Sequence, residues 1–283
     1  MKGGGLWADA WRRLRRNRAA YGSSWVLLAI VLASLVGPVL SPYGYDAQDL
    51  DRGAVGPTLD HPMGTDFHGR DVLTRVLYGA RVSVQVGLLA ALTSLLIGTA
   101  YGATAGWSGG RTDEWMMRLV DVLYSLPYMF VVILLVVVFG QSMTLLFCAL
   151  GAVQWLTTAR IVRGQVLSLK TREFVEAARA TGVPGRTILI RHVVPNALGP
   201  ILVYFTLTVP QVILQEAFLS FLGLGVQAPR PSLGALIQDG ANAMVVYPWL
   251  LVFPGGVMAL LLLALNFLGD GLRDALDPRM RGS

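Results

Sequence analysis

The groups able to do covalent or metal chemistry in this chain are few and poorly placed for it. Its three histidines are His61, His68 and His192, and its one cysteine is Cys148. His61 and His68 share a polar stretch with Asp66 and Asp71, but the spacing matches no metal-ligand motif. Cys148 lies inside an apolar run, and a single cysteine excludes an intramolecular disulfide. Residues 164–171 read Gly-Gln-Val-Leu-Ser-Leu-Lys-Thr, one substitution short of a phosphate-binding loop. Leu169 stands where the second glycine must be, and its side chain would block the backbone cradle for phosphates. No nucleophile–base set and no ligand cluster supports catalysis. The chain is therefore expected to be no enzyme and to hold no cofactor or metal of its own.

What remains are polar groups inside apolar runs. A charge near the centre of a bilayer costs roughly 2.5–3.5 kcal/mol on insertion scales, so it normally faces a cavity or a partner. Asp121 and Glu216 are the two acids so placed. For each, one reading is a helix-end charge at the membrane interface. The other readings are pairing with a nearby arginine for Asp121 and lining an outer gate for Glu216. Gln154, Gln211 and Gln215 are further pathway candidates, with Gln85, Thr93 and Ser94 behind them.

A second kind of chemistry is protein recognition, and residues 172–196 are built for it. The stretch is a polar island between long apolar regions. Glu173 and Glu176 precede Arg179, so acid sits early and base late, as a helix dipole prefers. Glu176 and Arg179 are three apart and can pair on one face. Ala177 and Ala178 are strong helix formers with little bulk. Gly182 suits a left-handed C-terminal cap, and Pro184 can start a second helix, expected to end near Pro195. A helix with a small, smooth face and charged ends suits a groove on another protein.

Glu176-Ala177-Ala178, then Gly182, then Val194-Pro195 resemble the EAA loop of ABC importer permeases. The longer run resembles the C-type permease of dipeptide, oligopeptide and nickel importers. Three more stretches resemble the same family: His61 to Leu73, Phe218 to Gly225, and Asn266 to Arg279. The resemblance implies a type I importer permease fold with six transmembrane helices and a cytoplasmic coupling helix. That helix would dock on the ATPase through Glu173, Glu176, Ala177, Ala178, Arg179 and Gly182. It further implies a second, homologous permease as partner, two ABC ATPase subunits carrying ATP and Mg, and an extracytoplasmic solute-binding protein. The substrate would be a di- or oligopeptide. Nickel and glutathione remain open within the family, and an ion-coupled secondary transporter or an intramembrane enzyme outside it.

The elements that must position these groups follow from composition. The chain is 54% hydrophobic and only 14% charged, against about 25% charged in soluble domains. An all-α, polytopic membrane protein is the expected class. Residues 1–24 form a basic segment, and 25–40 a first span, uncleaved because no signal-peptidase-like site precedes Ser41-Pro42. Residues 41–81 form an external loop whose last part, from Val72, repeats apolar residues at helical spacing and should lie on the outer membrane surface as an amphipathic helix. Residues 82–268 hold a core of five spans: about 82–105, 117–139, 142–159, 197–219 and 248–268. A short loop spans 107–116, the coupling loop spans 164–195, an outer loop spans 220–246, and 269–283 form a C-terminal tail. Gly98, Gly102 and Gly106 are each four apart, a small-residue ridge for close helix packing in lipid. No internal repeat is evident.

Six spans put both termini on one side. The opposite side carries Arg52, Arg70, Arg75, Arg81 and Arg230, and the remaining 18 of the 23 basic residues fall on the terminal side. The positive-inside rule then places both termini and the coupling loop in the cytoplasm, and the resemblance implies a bacterial cytoplasmic membrane. Basic residues that flank apolar spans leave no soluble basic domain, so the net charge of +6 does not indicate nucleic-acid binding. A reporter active only outside the cytoplasm should work when fused after Gly56 or Gln227. It should fail after Arg179 or Ser283, and activity at Arg179 would refute this topology.

Overall fold

A computed structural model describes residues 12–276; Lys2, Trp11, Arg279, Arg281 and the end of the tail lie outside the described residues. The described chain is α-helical, with one isolated β-bridge between Thr65 and Asp71. In order, the helices are α1 (Arg18–Leu40), α2 (Val72–Ser108), α3 (Gly110–Ser125), α4 (Tyr128–Phe139) and α5 (Met143–Leu169). They continue as α6 (Glu173–Ala180), α7 (Gly185–Ile188), a π-helical turn (Leu189–Val193), α8 (Val194–Phe221), α9 (Leu233–Ala243) and α10 (Trp249–Leu276). Five are long and apolar enough to cross a membrane: α1, α2, α5, the continuous Gly185–Phe221 and α10. The α3–α4 pair, bent by 80°, makes a sixth if counted as one span.

Several expected boundaries move, each for a local reason. The amphipathic helix expected as a separate element before residue 82 is instead the first three turns of α2. Asp71 caps this helix by accepting from the Thr74 N–H at 2.7 Å. Its 37 residues extend about 55 Å, well beyond a hydrocarbon core of about 30 Å. Val72, Val76 and Ala80 are buried against α9 and α10, within the protein.

The loop expected at 107–116 shrinks to a turn. Gly109 and Gly110 both take positive φ, +67° and +53°, where a side chain would be strained. This lets α3 begin directly after α2. The span expected over 117–139 is broken at Leu126-Pro127. Pro127 removes an N–H and restricts Leu126 to extended backbone, ψ 137°.

The span expected to end at 159 continues to Leu169, so Arg160 and Arg163 lie within α5, as does the start of the coupling loop. Gly164 to Leu169 are helical, so no phosphate cradle forms there. The second coupling-loop helix does not end near Pro195. The π turn widens the backbone just ahead of the proline, whose ring would otherwise clash with the carbonyl four residues back. The Asn196 side-chain amide donates to the His192 carbonyl at 2.6 Å, and the helix runs on to Phe221. The outer loop at 220–246 contains α9, capped by Ser232, and α10 takes in the first part of the tail, to Leu276.

The core is the packing of α2 on α5, with α8 beside both. A Cβ on Gly102 would overlap the Ala159 backbone, one on Gly98 would overlap Thr158, and one on Gly106 would press on Val166. Gly151 of α5 returns the contact against Thr93 of α2. Backbone-close approach of this kind is what small residues permit in lipid. Ser94 and Thr158 share a buried hydrogen bond of 2.9 Å across the same seam.

Gly102→Leu should therefore break the seam. Overpacking costs about 1–3 kcal/mol where side chains can yield, and here the obstacle is backbone. The variant should unfold in detergent several degrees below the unmodified protein. Gly199→Ala, at a position with nothing within 4 Å of the added carbon, should not.

Candidate docking helix and intramembrane cleft

Helix α6 is short and mostly exposed. Val175 is its one buried residue; Ala178 is half-buried, while Glu173, Phe174, Glu176, Ala177, Arg179 and Ala180 face outward. Val175 packs into a cluster with Ala103, Val162, Val166, Ile188 and Val193, which Ala178 and Val183 border. Ala178 is thus partly an anchor, and the outward surface belongs mainly to Ala177 and the charged residues. Gly182 ends the helix at φ +77°. The Val183 N–H donates to the Ala178 carbonyl at 3.1 Å and the Gly182 N–H to the Arg179 carbonyl at 2.9 Å. This is the Schellman arrangement, and it needs the left-handed residue between. Arg179 stacks over the Trp107 ring, 5.4 Å from its centroid, instead of pairing with Glu176. The sequence reasoning missed Phe174, an exposed aromatic among charged residues and alanines, and that contrast was the available signal.

A cleft of about 420 Å³ opens between the α3–α4 bend, α5 and α8. Gln154, Gln211 and Gln215 all line it, with Tyr124, Tyr128 and Thr157. Gln154 donates to Gln215 at 3.3 Å. These three glutamines are brought together from two helices 61 residues apart at the bonded pair. No charged side chain lines the cleft. The broken backbone at Leu126-Pro127 borders it, which is where non-helical backbone at membrane depth is tolerated. The tyrosines were not singled out from sequence; Tyr128 directly follows the proline that breaks the span.

Asp121 lies outside the cleft. Its carboxylate accepts from Arg160 at 2.6 Å, and the Arg160 guanidinium stacks on Tyr124 at 4.2 Å. About two turns earlier, Asp113 is gripped by Arg163 through two bonds of 2.6 and 2.7 Å. Both pairs tie α3 to α5. The bidentate geometry and burial of Asp113 make the second the stronger.

Glu216, expected at an interface or an outer gate, does neither. It is fully buried. Ser83 donates to one carboxyl oxygen at 3.1 Å and Ser220 to the other at 2.7 Å. Ser83 in turn accepts from the Leu233 N–H at 3.3 Å. Ser220 lies 3.2 Å from Ser232, which accepts from the Ala235 N–H at 3.2 Å. Two hydroxyl relays thus carry the N–H groups of the first turn of α9 onto one acid. The helix dipole and cooperative hydrogen bonding give a buried carboxyl its partners without a cation. Ser83 and Glu216 are 133 residues apart, and no local pattern marks them as neighbours. Of the remaining candidates, Ser94 is spent on the α2–α5 seam and Thr93 bonds the Leu89 carbonyl of its own helix.

Among known proteins, residues 98–282 match the family described as binding-protein-dependent transport system inner membrane component. Residues 5–57 match the N-terminal transmembrane domain of oligopeptide transport permease C. The chain is 52% identical over 283 residues to the oligopeptide transport system permease protein OppC of Haemophilus influenzae, covering 99% of this chain and 91% of that one. It is 53% identical to the protein of that name from Escherichia coli K12, covering 99% and 94%. To the dipeptide transport system permease protein DppC of Bacillus subtilis it is 47% identical, covering 96% and 86%.

Replacing Glu216 by leucine would strand Ser83 and Ser220 in an apolar interior, at about 1–3 kcal/mol for each unsatisfied group. Glu216→Leu should lower the thermal midpoint in detergent, and Glu216→Gln, which keeps an acceptor, should lower it much less. Equal midpoints for all three proteins would show that the relays contribute nothing.

Proposed function

The chain belongs to the family of binding-protein-dependent transport system inner membrane components, and on that premise we propose that it is a permease subunit of an ATP-driven peptide importer. It forms, with a second related permease, the pathway for di- and oligopeptides across the bacterial cytoplasmic membrane. Two ABC ATPase subunits, which hold ATP and Mg, dock beneath the pair, and an extracytoplasmic solute-binding protein delivers the peptide. Both termini and α6 lie on the cytoplasmic side.

The observation that carries this reading is α6: a capped helix anchored by one buried valine and otherwise presented outward. Glu173 and Glu176 at its start, Arg179 at its end and small Ala177 between offer charge and a smooth contact surface. Phe174, 38% exposed, adds an aromatic anchor of the kind that dominates protein interfaces. Closure of the ATPase dimer displaces α6, and the spans rock between inward- and outward-open arrangements.

The cleft favours peptide over nickel. Its polar lining consists of amides, phenols and a threonine hydroxyl, with no imidazole, thiolate or carboxylate to hold a transition metal. Neutral groups that both donate and accept match the amides common to all peptides, whatever their side chains. Gln154, Gln211 and Gln215 are the pathway residues in this reading. Asp121 secures the adjoining helix and Glu216 stiffens the α2–α8–α9 junction behind it.

Gly182→Val places a β-branched residue at φ +77°, where an ordinary L-residue already costs roughly 1–2 kcal/mol. Glu176→Lys reverses the charge of the outward face. Both variants should insert into the membrane normally. Each should lose at least tenfold in peptide uptake, by failing to retain the ATPase subunits in a pull-down or by retaining them unproductively. Uptake at the unmodified rate by both would refute a coupling role for α6.

A further inference from the structure

The indole of Trp107 is where the elements that a coupling helix would have to move come together. Trp107 is the penultimate residue of α2 and is half-buried. Arg179, at the end of α6, stacks over its ring 5.4 Å from the centroid. Lys170, which ends α5, lies 5.6 Å from the same centroid and also donates through Nζ to the Trp107 carbonyl oxygen. Gly185, the first residue of α7, lies beside the ring: a Cβ there would be in ordinary van der Waals contact, 3.4 Å from the indole nitrogen. The ring also borders the apolar cluster that holds Val175, the buried residue of α6. One side chain therefore touches α6, the end of α5 and the start of the continuous α7–α8 helix while belonging to α2.

The same residue lies at the end of a stiff unit. Above it, α2 and α5 meet backbone to backbone at Gly98, Gly102 and Gly106, so the two helices move together. Gln154 and Thr157 of α5 line the cleft, roughly 20–24 Å along the helix from Lys170. Packed elements shift between discrete arrangements and do not deform smoothly. A displacement of α6 that carries Arg179 and Val175 is thus delivered to the α2–α5 pair at Trp107, and by that pair to the cleft wall.

We propose that Trp107 is the positioning residue that turns displacement of α6 into movement of the α2–α5 unit. This rests on the reading of α6 as the ATPase-docking helix. Two kinds of contact make the residue type specific. The face of an indole attracts the guanidinium of Arg179 and the ammonium of Lys170, and its size lets it reach from the end of α2 to the start of α7 beside Gly185. Phenylalanine keeps an aromatic face in that place; leucine keeps apolar bulk without one.

The test uses the complete transporter reconstituted in proteoliposomes with its binding protein, in unmodified form and with Trp107→Phe, Trp107→Leu and Trp107→Ala. Three quantities are read: ATPase subunits retained, ATP hydrolysed, and labelled peptide accumulated. Trp107→Leu and Trp107→Ala should retain the ATPases, yet consume at least tenfold more ATP per peptide imported than the unmodified complex. Trp107→Phe should recover most of the coupling. An unchanged ratio of ATP to peptide in Trp107→Leu would overturn the proposal. So would a Trp107→Leu that loses ATPase retention, hydrolysis and uptake in proportion, since that is the signature of a side chain that merely fills space. If the unmodified chain retains no ATPase subunits, or if Glu176→Lys transports normally, the fault lies in the reading of α6 and not in the assignment of Trp107.

Discussion

The close contact of α2 with α5 is the constraint on which the other arrangements depend. Between helices in lipid no hydrophobic driving force operates, because lipid tails are as apolar as leucine, and association rests on van der Waals contact and interhelical hydrogen bonds. Glycines at 98, 102 and 106 let α2 reach the backbone of α5 at Trp155, Ala159 and Arg163. Gly151 answers from the other side. This fixes the register of the two helices, and the register decides which residues of α5 face the cleft and which reach α3. Arg160 and Arg163 meet Asp121 and Asp113 because the seam holds them at that height.

Most of the polar side chains followed from the sequence fall into two sets. In one, each group has a partner that the fold supplies: Asp113 has Arg163, Asp121 has Arg160, and Glu216 has two serines backed by the start of α9. These stitch helices together. In the other, Gln154, Gln211 and Gln215 with Tyr124 and Tyr128 turn toward open space at the α3–α4 bend. Burying polar groups without partners is costly, so polarity gathered around a void supports the proposed route for a polar solute. The break at Pro127 belongs to this set, since backbone freed from a helix at membrane depth needs a wet or protein-lined place to lie.

Helix α6 couples to this frame through very little surface. Val175 is buried, Ala178 half-buried, and Arg179 rests on Trp107. A light attachment leaves the helix's charged face available, and the Schellman cap at Gly182 closes the end of the helix.

The sequence by itself determined the class, the short helix before Gly182 and its glycine cap. These depend on composition, on short-range periodicity and on backbone conformations that only certain residues adopt, and all of that is local information. The three-glycine ridge was equally visible, since small residues one turn apart share a face. Helix ends were less so: α2 and α5 ran on past their apolar stretches because helical hydrogen bonding continues wherever tertiary contacts support it. Only the tertiary structure decided what each polar residue does. Glu216 and Gln215 are adjacent in the chain, yet one is sealed behind Ser83 and the other opens on the cleft. One helical step of about 100° separates them, and which face meets a partner is set by the helices packed around α8, α2 among them, whose Ser83 lies 133 residues away. Trp107 likewise carried no mark of its own, because the two cations beside its ring, Arg179 and Lys170, and its contact with α7 come together only when α2, α5, α6 and α7 have packed.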